Sequence, residues 1–107
     1  MALDIFITDS HGNAEKSISL FYSDYDKIMS FIESDPSFSV LQRIFADYYG
    51  DSEVYLNELE LLKAEILTMK ERFQALLPEN VANFIESFFD IIDYAMRNRK
   101  TIKLVGD

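Results

Sequence analysis

Residues 2–21 read ALDIFITDSHGNAEKSISLF, and this stretch decides the fold class. Residues 2–8 are rich in β-branched and aromatic side chains, and their apolar positions alternate toward one face, which is typical of a half-buried β-strand. Residues 9–13 are turn formers, and apolar residues alternate with serines in residues 16–21. The alternating apolar residues are Leu3, Ile5, Ile7, Ile18 and Leu20. We therefore predict an N-terminal β-hairpin.

Two short helices are predicted after the hairpin. Ser23 can cap the first helix, because an acidic first turn and then an apolar segment follow it. This helix should stop near Ser34, since Pro36 disfavours the α conformation in the residue before it. Residues 38–49 carry apolar side chains at helical spacing and end at Gly50, so they predict the second helix.

A longer helix follows a short extended segment. Residues 53–56 predict a short strand, with Asn57 and Glu60 as the cap pair of the next helix; the alternative is that this helix begins at Ser52. An apolar stripe then recurs at alternating steps of three and four residues. It consists of Leu59, Leu62, Ile66, Met69, Phe73 and Leu76. The stripe is too short for a long exposed coiled coil, so we expect it to be buried in the core.

The last helix and a closing strand complete the pattern. Pro78 ends the preceding helix, and Asn80 can cap a helix with a wide apolar face. That face consists of Val81, Phe84, Ile85, Phe88, Ile91, Ile92 and Ala95. Residues 101–105 predict a strand, for which Lys100 and Lys103 would suit a sheet edge. The predicted fold is one α+β domain over residues 1–107, with about four helices packed on a small antiparallel sheet formed by the N-terminal hairpin and the C-terminal strand.

The chain is strongly acidic, and its charge is uneven. It contains 19 acidic and 10 basic residues, for a net charge of −9. The last 14 residues carry four basic side chains and one acidic side chain, which leaves −12 for residues 1–93. A negative field repels phosphate backbones and anionic membranes and attracts cations and basic proteins. We therefore expect no nucleic-acid and no membrane partner, and a basic protein partner instead.

Composition also bounds the compartment and the chemistry. No apolar run approaches the roughly 20 residues that span a bilayer, and no basic region followed by an apolar stretch marks an export signal. The chain has no cysteine, which excludes disulfides, thiol nucleophiles and cysteine-bound metals. We expect a cytoplasmic protein.

Candidate catalytic and metal-binding residues are few. His11 is the one histidine and lies in the predicted turn, with no second residue placed to form a catalytic relay or a zinc site. Glu86, Asp90 and Asp93 share one helical face, which is more typical of a solvated surface than of a cation site. Residues 47–53 lack the alternating oxygen donors and the distal glutamate of a calcium loop. We expect no enzymatic activity, no cofactor and no bound metal.

Two predicted turns combine tyrosine with carboxylates. Tyrosine buries large area at low entropic cost, and carboxylates can pair with lysine or arginine on a partner. One turn surrounds Gly50, and the other begins the first helix, beside Tyr22 and Tyr25. The predicted partner-binding residues are Asp47, Tyr48, Tyr49, Asp51 and Glu53 in the first of these turns and Asp24 and Asp26 in the second.

Four segments define the layout of the chain: the strand in residues 3–7, the stretch SISLFYSDYD in residues 17–26, the step into a helix at residues 54–56 and the closing segment 100–107. This layout resembles small bacterial immunity-type proteins of polymorphic and contact-dependent toxin systems. The resemblance implies a protein that neutralises a cognate toxin domain, often a basic nuclease, by covering its active site or an adjacent surface. The resemblance concerns the role of the protein and assigns no function to individual residues.

A different class of function is kept as an alternative. The chain contains nine phenylalanines, which leaves apolar area for self-association through the helix of residues 59–76 or through residues 84–89. Under this hypothesis the protein is a structural or regulatory homo-oligomer, for example a homodimer, without catalytic activity.

Overall fold

A four-stranded antiparallel sheet forms one layer of the protein in the computed structural model, which describes residues 2–106. The strands are β1 (Ala2–Thr8), β2 (Ala14–Phe21), β3 (Asp51–Val54) and β4 (Ile102–Gly106). Their order across the sheet is β2-β1-β4-β3. The predicted hairpin and closing strand are therefore confirmed, and β3 is the predicted short strand, displaced by two residues toward the N-terminus.

Strand alternation separates a core face of the sheet from an open face. The most deeply buried side chains of the three longest strands point to one side, where the helices pack. They are Leu3, Ile5, Ile7, Leu20, Ile102 and Leu104. Asp4, Phe6 and Lys103 alternate with them and lie on the other face, which no helix of residues 2–106 covers. One face is thus available to solvent or to a partner.

The prediction that Lys100 and Lys103 belong to a sheet edge was wrong. β4 lies between β1 and β3, so the edges of the sheet are β2 and β3. The apolar inner side of β4 is completely buried, which favours an interior position, and Lys103 is accommodated because it lies on the open face.

Four α-helices form the second layer. They are α1 (Tyr22–Ile32), α2 (Ser39–Ile44), α3 (Leu56–Phe73) and α4 (Glu79–Asn98), with 3-10 turns at Pro36–Phe38 and Gln74–Leu76. α3 and α4 pack as an antiparallel pair, and α4 also contacts β1 and β2. The predicted α+β architecture is confirmed. No helix within the described part of the chain is long and apolar enough to cross a membrane.

Three of the predicted helix ends differ from those in the structure. α1 begins at Tyr22 and α4 at Glu79, and neither has a side-chain cap, so Ser23 and Asn80 lie inside their helices. α2 ends at Ile44, five residues before the predicted end, because the chain must turn there to reach β3. Side-chain capping was predicted from local sequence alone, whereas packing determines where each helix starts.

α3 also starts differently from its predicted cap. Asn57 is helical, and the Glu58 carboxylate accepts a hydrogen bond of 3.2 Å from the backbone N–H of Tyr55. The apolar stripe is buried from Leu59 to Met69, but Leu76 is 68% exposed in the 3-10 turn that follows the helix. The stripe therefore ends one turn earlier than predicted.

Candidate partner-binding surface

The two predicted tyrosine-rich turns meet at one end of the sheet. β1 begins there, and its neighbours β2 and β4 end beside it, because Leu3 pairs with both Leu20 and Gly106. β2 leads directly into α1, and β3 starts at Asp51, which pairs with the end of β4. The start of α1 and the loop before β3 are thus neighbours in space, although more than 20 residues separate them in the chain.

Four tyrosines from the two turns form a continuous group of rings, which we call the tyrosine cluster. It consists of Tyr22, Tyr25, Tyr48 and Tyr49. The ring of Tyr48 is in the middle, with centroids 4.7 Å from Tyr25, 5.3 Å from Tyr22 and 5.2 Å from Tyr49. Aromatic pairs at such distances stabilise one another beyond their burial. The cluster therefore joins α1 to the loop before β3.

The cluster exposes two rings and buries one. Tyr22 is 52% exposed and Tyr49 is 54% exposed, whereas Tyr48 is only 4% exposed. The Tyr48 hydroxyl donates a hydrogen bond of 2.8 Å to the carbonyl of Leu20. Tyr48, predicted as a contact residue, thus lies beneath the surface, where it supports the exposed rings. Tyr22, which was noted only as a neighbour of the predicted carboxylates, provides an exposed ring.

The pKa of Tyr25 is affected by carboxylates from both turns. Its hydroxyl donates a hydrogen bond of 2.6 Å to the carbonyl of Phe45. Burial raises the pKa of Tyr25, and the neighbouring Tyr22 and the carboxylates of Asp47 and Asp26 raise it further. Carboxylates from both predicted turns therefore act on the same ring.

The predicted carboxylates form an acidic surface that lies beside the tyrosine cluster and continues along the edge strand β3. We use that name for Asp24, Asp26, Asp47, Asp51 and Glu53. Within residues 2–106, none of these five forms an ion pair. Five other carboxylates do, namely Glu15, Asp35, Glu58, Glu86 and Asp93. Five carboxylates that no ion pair within residues 2–106 balances thus lie at this end of the sheet and on its outer strand.

Hydrogen bonds to neighbouring residues position two carboxylates of the acidic surface, Asp47 and Glu53. Asp47 Oδ1 accepts a hydrogen bond of 3.0 Å from the N–H of Tyr49, which closes the turn before β3. Glu53 lies opposite Lys103 in the register of β3 and β4. Its carboxylate accepts a hydrogen bond from the Tyr55 hydroxyl, which raises the pKa of Tyr55. The acidic surface therefore extends from α1 to the outer strand of the sheet.

Gly106 positions the tyrosine cluster, and the sequence did not single it out. Its N–H donates a hydrogen bond of 3.0 Å to the carbonyl of Gly50. A Cβ atom at this position would lie 2.4 Å from the carbonyl oxygen of Tyr48 and 2.6 Å from Cα of Tyr49. Only glycine allows the two backbones to approach so closely. A lone glycine at a strand end does not reveal which segment approaches it.

The other candidate groups do not converge. Among residues 2–106, no three histidine, aspartate or glutamate side chains lie close enough to hold a metal ion. Glu86 is paired with Lys70, and Asp93 with Lys63 at 3.0 Å, so lysines of α3 balance two of the three carboxylates that were considered for a cation on α4. His11 is exposed in the hairpin turn.

Comparisons of the chain with protein-family models, with curated proteins and with solved structures find no match. Function is therefore inferred from the residues and their geometry alone.

Proposed function

We propose that this protein binds and neutralises a basic protein partner, and most concretely that it is an immunity protein that inhibits a cognate bacterial toxin by direct complex formation. The observation that supports this is the acidic surface, whose five carboxylates have no ion-pair partner among the described residues and lie beside two exposed tyrosine rings and along the adjoining strand β3. Such carboxylates can pair with lysine or arginine of a partner, while the rings bury apolar area.

The distribution of charge supports steering of a basic partner to this end of the molecule. At the opposite end of β1, Lys100 pairs with Glu15 at 3.0 Å, and Arg97 and Arg99 lie close to it at the end of α4. The acidic surface lacks such ion pairs, so its negative charge attracts an approaching basic protein to this end of the molecule. Association is then fast at low salt and slower as salt screens the field.

The tyrosine cluster is better suited to recognition than to catalysis. The hydroxyls of Tyr25 and Tyr48 both donate hydrogen bonds to backbone carbonyls. The pKa of Tyr25 is also raised, which disfavours the use of this side chain as a base or nucleophile. The proposed role is thus occlusion of a toxin domain, such as a nuclease, in the cytoplasm of the cell that makes both proteins.

Charge reversal tests the proposal. Capture from the native host should return a basic, toxin-like protein encoded beside this chain, with nanomolar or tighter affinity. The triple variant Asp47→Lys, Asp51→Lys and Glu53→Lys should then slow association about tenfold or more at low salt without unfolding the domain. Stopped-flow or surface-based kinetics measure the rate, and circular dichroism confirms the fold.

A matched control separates local charge from net charge. Glu60→Lys, Glu71→Lys and Asp90→Lys make the same change on exposed positions of α3 and α4, outside the acidic surface. This control should slow association much less. Equal slowing by both triple variants would remove the acidic surface from the binding site, and capture of no toxin-like protein would contradict the proposed function.

The alternative of a homo-oligomer has weaker support. The exposed leucines of α3 are Leu56, Leu61 and Leu67, which are five and six residues apart and therefore do not form one stripe along the helix. A helix that self-associates requires a continuous apolar face. Sedimentation at micromolar concentration distinguishes the two functions, since this alternative requires a stable dimer.

A further inference from the structure

A groove runs along the outer side of β2. β2 is an edge strand, and no strand of residues 2–106 pairs with its outer side. All of its residues except Ile18 and Leu20 are exposed. An exposed edge of this kind presents unpaired backbone N–H and C=O groups to which an extended peptide can add as a further strand.

The helix layer supplies the other wall of the groove. Ile18, Ser19 and Phe21 line it from the strand, and Asn80, Asn83, Phe84 and Ser87 line it from α4. The four α4 residues recur at the spacing of one helical face, so they point together at the strand. We call this space the β2–α4 groove; its volume is about 470 Å³.

Contacts further along β2 close one end of the β2–α4 groove. Glu15 accepts a hydrogen bond from the Tyr94 hydroxyl, and the Lys16 ammonium lies 5.1 Å from the centre of the Tyr94 ring. These contacts join the strand to α4. The open part accordingly follows residues 18–21, which accommodate about four residues of an extended chain at roughly 3.3 Å each.

The chemistry of the lining identifies the occupant. Asn80, Asn83 and Ser87 make no side-chain hydrogen bond with the described part of the chain, so their polar groups are available to a ligand. Phe21 is 58% exposed and offers an apolar contact. Among the described residues that line the groove, Asp24 alone is charged, and it belongs to the acidic surface. The groove thus combines a strand edge, amide and hydroxyl groups, apolar side chains that include two phenylalanine rings, and one carboxylate.

We propose that the β2–α4 groove binds an extended segment of a basic protein as an added strand, with a lysine or arginine side chain at Asp24. The basic character of the occupant rests on the proposed function, which supplies a basic partner. The groove extends that surface around the edge of the sheet, because Asp24 lines the groove and lies in the first turn of α1.

Peptide titration tests the groove without the natural partner. The probe is an acetylated and amidated pentapeptide that alternates lysine and valine, and the control probe replaces each lysine by glutamate. In amide correlation NMR spectra, millimolar lysine probe should shift the resonances of residues 17–21 and 80–87. The glutamate probe should not shift them, because Asp24 repels it.

Two variants make the assignment specific. Asn83→Trp places a large ring in the β2–α4 groove and should abolish the shifts, whereas Asn57→Trp makes the same change on exposed α3 and should preserve them. Shifts confined to residues outside the β2–α4 groove, no shifts, equal shifts of residues 17–21 and 80–87 with both probes, or persistence of these shifts in Asn83→Trp would overturn the proposal.

Dilution of the protein alone is a further check. Concentration-dependent shifts of residues 17–21 without peptide would identify the edge as a contact between two copies and would overturn the proposal. Failure of the peptide titration leaves the toxin capture experiment unaffected. A captured toxin without peptide binding would therefore contradict the groove and support the proposed function.

Discussion

Glu65 is a buried carboxylate of α3 that stabilises the start of another helix. Its side chain is only 2% exposed, and its two oxygens accept hydrogen bonds of 3.0 Å and 2.9 Å from the backbone N–H groups of Val40 and Leu41. These groups belong to the first turn of α2, where N–H donors have no partner within the helix. A negative charge there is also favoured by the helix dipole. Glu65 therefore holds α2 against α3.

Removal of this carboxylate should destabilise the fold strongly. Glu65→Ala leaves two buried donors without an acceptor, and we expect the free energy of unfolding to fall by about 2–4 kcal/mol in urea denaturation. Glu71→Ala, an exposed site on the same helix, should change it by less than about 0.5 kcal/mol. Similar stabilities for the two variants would mean that Glu65 does not cap α2.

A second prediction about a single residue concerns Gly106. Gly106→Ala should push the backbone of Tyr48 and Tyr49 away from β4 and reduce stability by about 1–3 kcal/mol. Gly12→Ala is the comparison, because it adds strain at a φ of +82° but meets no atom within 4 Å. NMR shifts at Tyr22, Tyr48 and Tyr49 should change in the first variant only. Unchanged shifts there would refute the proposed positioning role.

Helices were predicted better than their boundaries. The apolar periodicity of α3 and α4 reflects burial along a whole helix, so many residues support each prediction. A cap depends on one side chain, and the predicted caps at Ser23, Asn57 and Asn80 all failed. The first turn of α2 shows why, since its cap comes from Glu65, which is more than 20 residues away in the chain.

The position at which the buried stripe of α3 ends can be tested by substituting leucines along it. Leu62 is fully buried and Leu76 is 68% exposed, although both belong to the same predicted stripe. Leu62→Ala should therefore lower the free energy of unfolding by about 2–5 kcal/mol, and Leu76→Ala by less than about 0.5 kcal/mol. Denaturant titrations measure both. A loss for Leu76→Ala comparable to that for Leu62→Ala would place Leu76 in the core.

Ion pairs connect segments of the whole molecule that are far apart in the chain. The Tyr94 hydroxyl and Lys100 lower the pKa of Glu15 on β2. The Ser37 N–H, with help from Arg72 of α3, lowers the pKa of Asp35, and Lys63 of α3 lowers that of Asp93 on α4. Each carboxylate is thus stabilised in its charged form by the folded state.

Stability should consequently fall in acid. A carboxyl whose pKa is lowered by folding contributes stability above its unfolded pKa, here 3.8 to 4.5, and loses it as the pH falls through the folded value. Urea midpoints from neutral pH to about pH 3 should decline over this range. Lys100→Met should make the decline shallower, and Lys27→Met, at an exposed site without an ion pair in residues 2–106, should not. Identical profiles for the two variants would contradict the assignment to Glu15.

The α+β class, the hairpin, the four helices and most of the buried residues were predictable from the sequence, because side-chain periodicity records locally which face each element buries. The carboxylates and tyrosines of the two turns were also identified from the sequence. Three features became evident from the folded structure: β4 is an interior strand, Tyr48 lies beneath Tyr22 and Tyr49, and both turns form one acidic surface. These features depend on contacts between residues far apart in the chain, such as Gly106 with Tyr48, and no local pattern encodes which distant segments pack together.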